Sequence, residues 1–204
     1  QFLTSERGFS MVATGESFPG ISTRIYPFGG GGFLEVAYIS DESKIAQSEG
    51  GLALQSFLTE NGDGYYSFVL ETDDYDHVKQ VLLEEEYPFS ESGVQHVTDP
   101  SGQTNTFRML GTFPHLPWFV QYREPRKNAN GFPQAVILRT TTLTADATLL
   151  EKIMQTSSTQ LNFPNMMAIL FPLANATLRL EAADAYSFAY FDTTGILLEK
   201  PLLT

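Results

Sequence analysis

Apolar and polar positions fall in short runs along most of this chain, and glycine, proline or asparagine bounds nearly every run. Thr23-Arg24-Ile25-Tyr26-Pro27-Phe28 and Phe33-Leu34-Glu35-Val36-Ala37-Tyr38-Ile39 are rich in β-branched and aromatic residues, the composition of strands. Gly29 to Gly32 separate them, and glycine supplies the positive φ that a tight reversal needs, so the pattern predicts a hairpin. Before it, Gly8 reads as a helix end and Phe9 to Val12 as a short strand. After it, Leu52 to Leu54 with Phe57 and Leu58 predict a short helix or turn within 41–64, closed by Asn61-Gly62-Asp63-Gly64.

A clearer unit follows. Tyr65 to Thr72 reads as a strand and Asp73 to Glu86 as a helix, with Asp73 as N-cap and Asp74 and Asp76 at the positive end of its dipole. Val78, Val81 and Leu82 give that helix one apolar stripe. Strands are predicted at Gly93 to Thr98, Thr104 to Leu110 and Trp118 to Arg123, joined by Asp99-Pro100-Ser101-Gly102 and the proline-rich Phe113 to Pro117. The order is β-α-β-β-β.

The third portion repeats it. Gln134 to Thr140 is a strand, and Thr144 opens a helix with Leu149, Leu150, Ile153 and Met154 on one face. Strands follow at Met166 to Phe171, Thr177 to Glu181 and Tyr186 to Phe191. TLRLE at Thr177 to Glu181 is similar to TFRML at Thr106 to Leu110, and FAYF at Phe188 to Phe191 to FVQY at Phe119 to Tyr122. FLEV at Phe33 to Val36 fits the same slot in the first portion. Repetition of this kind outweighs any single motif. The fold predicted is α+β, built of repeated β-α-β-β-β modules. Two modules, in residues 1–125, pair into a cupped sheet, and a third, 126–204, is appended. The first module lacks its opening strand and most of its helix, which we expect upstream of Gln1 or from a second chain. That open edge and the unpartnered third module predict a homodimer.

Bulk composition removes several functions. A net charge of −12 with twelve scattered basic residues argues against nucleic acid, since phosphate binding needs clustered Lys and Arg. No apolar run approaches the roughly 18 residues of a membrane span. Cysteine is absent, so disulfides, thiolate metal sites and cysteine nucleophiles are excluded, which fits a cytoplasmic protein. Gly29 to Gly32 is no phosphate loop, because a strand and not a helix N-terminus follows. His77, His96 and His115 have no carboxylate at metal-ligand spacing and read as structural or solvated.

The segment Gly15-Glu16-Ser17-Phe18-Pro19-Gly20-Ile21-Ser22-Thr23-Arg24-Ile25, followed by Phe33-Leu34-Glu35-Val36, resembles the G-x-H-P-G-x-G-T-x-N and Y-L-E-L segments of glyoxalase-like domain proteins. Leu116-Pro117-Trp118-Phe119-Val120-Gln121-Tyr122 is similar to their L-P-F-x-I-E-W, and Asn128-Ala129-Asn130-Gly131 to their H-P-N-G. The resemblance covers roughly residues 8 to 145 and places the chain with the vicinal oxygen chelate superfamily, which includes glyoxalase I and the extradiol dioxygenases. It implies a cupped sheet that holds a divalent metal between first-strand and last-strand ligands of paired modules. Carried over, the last-strand positions are Glu35 and Gln121, and the second module's first-strand position is Ser67. Phe18 and Asn128 replace histidines of the pattern. One carboxylate, one amide and one hydroxyl make a poor set for Zn²⁺ or Fe²⁺, so a divalent metal is disfavoured, with Glu35 its single strong ligand. A competing register, set by the Asp99 to Gly102 turn, would put Thr106 in the slot of Gln121.

Other residues join this candidate site. Glu35, between Leu34 and Val36, must face water or line a cavity, and it is the candidate catalytic base. Arg24 and Arg108 sit in apolar strands and could pair with Glu35, hold a ligand carboxylate or form internal salt bridges. Trp118 and Tyr122 flank Gln121 and would wall the cavity. The functional expectation is a glyoxalase-like protein that binds a small polar organic ligand, as a lyase, isomerase or dioxygenase with Glu35 at its centre. The alternative is a metal-free binding or sequestering protein.

Overall fold

The computed structural model describes residues 10–27, 32–98, 104–113, 115–124, 135–164, 166–191 and 197–198. The expected turn at Gly29 to Gly32, apart from Gly32 itself, the turn at Asp99 to Gly102 and the segment Asn128 to Gly131 lie outside these residues.

Three antiparallel strands open the described chain in the order β1-β2-β3: β1 (Ala13–Phe18), β2 (Ile21–Pro27) and β3 (Phe33–Ile39). The first strand thus lies later than the expected Phe9 to Val12, although Val12 still donates its N–H to the Ile25 carbonyl at 3.0 Å. A 3-10 turn (Glu42–Gln47) and the helix α1 (Glu49–Asn61) follow. Ser48 caps α1 by accepting the Gly51 N–H at 3.0 Å. Ile21, Ile45 and Leu54 form a small core here, with Phe18, Ile39, Leu58 and Tyr66 packed against it.

Gly20 holds this unit together at the β1–β2 turn. Its φ is +81°, and its carbonyl accepts the N–H groups of Ser40 and Asp41 at 2.8 and 3.2 Å. A Cβ at this position would stand 2.3 Å from the Asp41 carbonyl oxygen. Only glycine satisfies both demands.

The second unit contains β4 (Val69–Glu71), α2 (Tyr75–Glu84), β5 (Phe89–Glu91), β6 (Gln95–Thr98), β7 (Thr104–Thr112) and β8 (Trp118–Tyr122). Its sheet runs β4-β8-β7-β5, with β6 also on β7. The N-cap of α2 is Asp74, one residue later than expected, accepting the His77 N–H at 3.0 Å. The third unit contains β9 (Ala135–Thr140), α3 (Leu143–Met154), β10 (Thr159–Phe163), β11 (Met166–Pro172), β12 (Thr177–Ala182), β13 (Ser187–Phe191) and β14 (Leu197–Leu198), in the order β10-β11-β12-β9-β13-β14.

In both units the opening strand lies parallel beside the closing one, β4 with β8 and β9 with β12. This shared connectivity is the repeat predicted from the sequence. The slots differ from the expected alignment, however. The polar, fully exposed β10 (TQLNF) carries no strand signature and escapes a reading based on apolar runs. With it counted, TLRLEA of β12 takes the slot of β8, not of β7.

The larger core joins these two units. Tyr75, Val78 and Leu82 of α2 meet Leu110 and Phe119 of the second sheet, Leu143, Leu150 and Ile153 of α3, and Leu138, Leu178, Leu180 and Phe171 of the third. Burying each large side chain contributes roughly 1.5–3 kcal/mol before entropy is counted. Among the described residues no helix is long and apolar enough to cross a membrane.

Replacing Gly20 by Ala is expected to cost about 2–3 kcal/mol, from the left-handed backbone together with the displaced Asp41 carbonyl. Urea melts of the variant against the parent measure it, and an unchanged midpoint would refute this account of the turn.

Candidate functional site

Glu35 lies on β3 opposite Ile25 and is exposed. Its Oε1 accepts the Ser17 hydroxyl at 2.9 Å. Facing positions in an antiparallel sheet share a side and alternate along the strand, so Glu35 shares its face with Ala37 and Ile39. Ile39 packs on the α1 core, which places Glu35 on the helix-bearing side of its sheet. Arg24 is on the opposite side, exposed, with its guanidinium carbon 5.1 Å from the centre of the Tyr38 ring. Arg24 and Glu35 therefore point to opposite faces.

Arg108 and Gln121 do meet. They are directly opposed on β7 and β8, and Leu110 and Phe119, two residues further on, fix their side as the one packed against α2. Arg108 donates to Gln121 Oε1 from Nε at 3.1 Å and from a terminal nitrogen at 2.9 Å. It grips Asp76 of α2 with two parallel bonds of 3.0 Å. Its guanidinium lies 4.0 Å from the centre of the Tyr75 ring, a cation–π arrangement. The hydrogen bonds from Arg108 hold the Asp76 carboxyl below the usual carboxylate range. Gln121 Nε2 donates to the Asp73 carbonyl, which uses the other end of the amide. Beside this group Lys79 and Tyr75 both donate to Glu91, the tyrosine at 3.0 Å. Burial and the Glu91 carboxylate raise the Tyr75 phenol, while Lys79 chiefly lowers Glu91. Arg108 and Gln121 thus anchor the start of α2 to its sheet. Trp118 and Tyr122 do not flank Gln121 on a shared wall, because alternation turns them to the other face.

Ser67 and Trp118 meet elsewhere. Ser67 precedes β4 instead of lying within a strand, and among the described residues its hydroxyl makes only a long 3.3 Å bond, to the Phe68 carbonyl. With Tyr66, Thr112, Phe113, His115, Leu116, Trp118 and Phe188 it lines a hollow of about 30 Å³, room for one water molecule or one hydroxyl group. Tyr66 packs edge-on to Trp118 at 5.8 Å.

His115 in this wall is the residue that reading the sequence passed over. It is 5% exposed, and its Nε2 lies 2.9 Å from Asp146 Oδ2 on α3. The same oxygen accepts the hydroxyls of Thr140 and, at 2.9 Å, Thr142. Burial pushes the Asp146 carboxyl upward, but the bonds from His115, Thr140 and Thr142 outweigh it and hold it below its ordinary value. An ionised Asp146 requires the proton of a neutral imidazole to sit on Nε2, which leaves Nδ1 with a lone pair. Among the described residues, that Nδ1 is buried without a partner, as is the hydroxyl of the neighbouring Tyr87, which burial pushes up to about 12. Tyr186 stacks on the imidazole at 3.6 Å. The signal in the sequence was faint: one histidine in a proline-rich loop, and one acid in a helix turn that favours acids anyway. Only the fold brings them together. His77 and His96 bond instead to the Lys152 carbonyl and the Thr106 hydroxyl.

A third polar group lies on the helix-free face of the third sheet. Glu181 of β12 is held by Arg139 at 3.3 Å and Arg179 at 2.7 Å, a buried carboxylate satisfied by two arginines. Among the described residues no three His, Asp or Glu side chains converge as a metal-binding group.

The lowered Asp146 carboxyl has a signed consequence. Its contribution to stability is complete above the unfolded carboxylate pKa of about 4 and is lost as pH falls through the lower folded value. Asp146→Asn is expected to flatten the acid limb of a stability-against-pH curve, while Asp146→Ala, which leaves the buried donors of His115 and Thr140 without this acceptor, costs on the order of 3 kcal/mol. An acid limb identical in the Asn variant and the parent would contradict this.

The family model described as Glyoxalase-like domain matches residues 1–157. Comparison with curated protein sequences finds no match. Among solved structures, a hypothetical protein from Staphylococcus aureus is similar with a TM-score of 0.64 at 13% identity, covering 95% of this chain and 91% of that one. A mutant 4-hydroxymandelate synthase from Streptomyces coelicolor is similar with a TM-score of 0.51 at 14% identity, covering 90% of this chain and 58% of that one. At such identities these two likenesses speak for the fold alone. With the family match spanning most of its length, the chain belongs to the glyoxalase-like domain family.

Proposed function

We propose that the protein binds a small polar organic molecule without a catalytic metal, one polar group of which enters the hollow beside Trp118. The observation that carries this reading is the composition of that wall. Four aromatic rings, Tyr66, Phe113, Trp118 and Phe188, surround three polar side chains, Ser67, Thr112 and His115. Ligand sites combine mostly apolar walls with a few placed polar groups in this way. The hollow lies between the second and third units and not inside the cupped sheet expected from the sequence.

The superfamily's divalent metal does not fit the residues at its expected positions. Glu35 accepts a hydroxyl from Ser17, Gln121 has both ends of its amide bonded to Arg108 and Asp73, and both lie on helix-bearing faces. The positions of β8 that point away from α2 are Trp118, Val120 and Tyr122, none a ligand of the kind Zn²⁺ or Fe²⁺ takes. We derive no reaction step through a metal.

Two measurements test the proposal. Protein purified without an affinity tag should carry well under one equivalent of Zn, Ni, Mn or Fe, and Glu35→Ala should leave that content unchanged. The single tryptophan, Trp118, should shift its emission on titration with small aromatic molecules. Near-stoichiometric metal lost in Glu35→Ala, with an unresponsive Trp118, would overturn the reading.

A further inference from the structure

We propose that the protein forms a two-fold dimer through β10 (Thr159–Phe163), which pairs antiparallel with the same strand of a second copy. The inference is independent of the binding reading above, and it moves the expected homodimer contact from the first sheet to the third. Among the described residues β10 is hydrogen-bonded on one side only, to β11. An edge strand presents a row of unpaired N–H and C=O groups, and proteins guard such edges with charges, proline or bulges. The other edge strands of three or more residues each carry a charged or titratable side chain: Glu16 on β1, Glu35 on β3, Glu71 on β4, Glu91 on β5 and His96 on β6. β1 also shifts its register between Glu16 and Phe18. β10 has none of these guards. Its sequence TQLNF holds no charge and no proline, and its register against β11 runs without a break from Thr159 to Phe163. The whole strand is exposed, with Leu161 at 36% and Phe163 at 47%.

Two observations make the occupant of this edge a second copy. The first is electrostatic. With a net charge of −12, two copies repel each other over most of their surfaces and can settle together only where charge is missing. From Gln155 to Leu178 the sequence holds no Asp, Glu, Lys, Arg or His, and both β10 and β11 lie within that stretch. The second is self-complementarity. Leu161 and Phe163 oppose Ala168 and Met166 of β11 and share one face, while Gln160 and Asn162 oppose Ile169 and Met167 on the other. An antiparallel pair centred on Leu161 overlaps the full strand. Leu161 meets its own copy, Thr159 meets Phe163 across the axis, and Gln160 meets Asn162. Cross-strand pairs of this kind are what stabilise a sheet. Gln160 already donates to Asn162 Oδ1 at 2.9 Å within one chain, so these amides can exchange that bond for its equivalent across the axis. A slip of one residue would set Leu161 against an amide instead. One pairing consumes the edge of both copies, so the assembly closes at two. A five-residue strand covers less than the roughly 1,000 Å² of a stable interface, which makes this a weak, concentration-dependent dimer.

Sedimentation velocity of the unaltered chain, from micromolar to near-millimolar concentration, should show a monomer passing into a dimer and nothing larger. Raising the salt from low to physiological strength should tighten the dimer, because it screens the repulsion between acidic copies. Leu161→Lys sets two ammonium groups against each other on the axis and should weaken association at least about tenfold, with an unchanged urea midpoint because the side chain is exposed. The chain has no cysteine, so a single introduced thiol reports contact without background. Directly opposed strand residues stand about 4.5–5.5 Å apart between Cα atoms, within disulfide reach. Leu161→Cys should therefore oxidise to a covalent dimer, and Leu83→Cys, equally open to solvent on α2, should not. A chain that stays monomeric at every concentration, a dimer that Leu161→Lys leaves intact or that salt dissociates, or equal cross-linking at positions 161 and 83 would overturn the proposal.

Discussion

The two-residue period of β8 decides which side chains can meet at a site. Phe119 is buried at 2% exposure in the core it shares with Tyr75, Val78 and Leu82 of α2. A strand cannot turn Phe119 toward the helix without turning Gln121 the same way. Slipping the register by one residue would bring Gln121 to the other side only by exposing Phe119 and burying the wrong set. The apolar side chain thus decides where the polar one points, and Arg108, Asp73 and Asp76 are what Gln121 finds there.

The same core explains why the candidate site lies at a junction. α2 and α3 contribute to one apolar cluster, and at its polar rim Lys152 of α3 bonds His77 through its carbonyl and Glu85 through its ammonium. His115 reaches Asp146 across this junction from the loop between β7 and β8. The hollow beside them is bounded by residues before β4, at the end of β7, at the start of β8 and on β13. A wall drawn from four separate stretches stays fixed only if the sheets that carry them are fixed relative to one another, which the shared core provides. The first sheet, with its separate small core around Ile21, meets this region through Tyr66.

Much of the fold was legible because it was written in local chemistry. The strands around Ile25, Val36, Phe119 and Ile137 have the β-branched and aromatic content that marks strands, and the Val78, Val81, Leu82 stripe marks α2. What escaped was polar or non-local. The edge strand β10 has only Leu161 and Phe163 as apolar residues, and both are exposed. The face that a strand residue occupies depends on which neighbour is buried, and Glu35 and Gln121 carry no local mark of that. His115 and Asp146 are 31 residues apart, and Asp146 in a first helical turn has an ordinary explanation that hides its burial. Arg108 was open to an internal salt bridge from the start, and Asp76 is its partner.

A double-mutant cycle on folding stability tests the central claim, that Gln121 belongs to the α2 anchor and not to a site shared with Glu35. Arg108→Ala and Gln121→Ala, alone and together, should show a coupling of about 0.5–1 kcal/mol or more, as contacting residues do. Glu35→Ala and Gln121→Ala should add without coupling. Additivity between residues 108 and 121, with coupling between 35 and 121, would contradict the account.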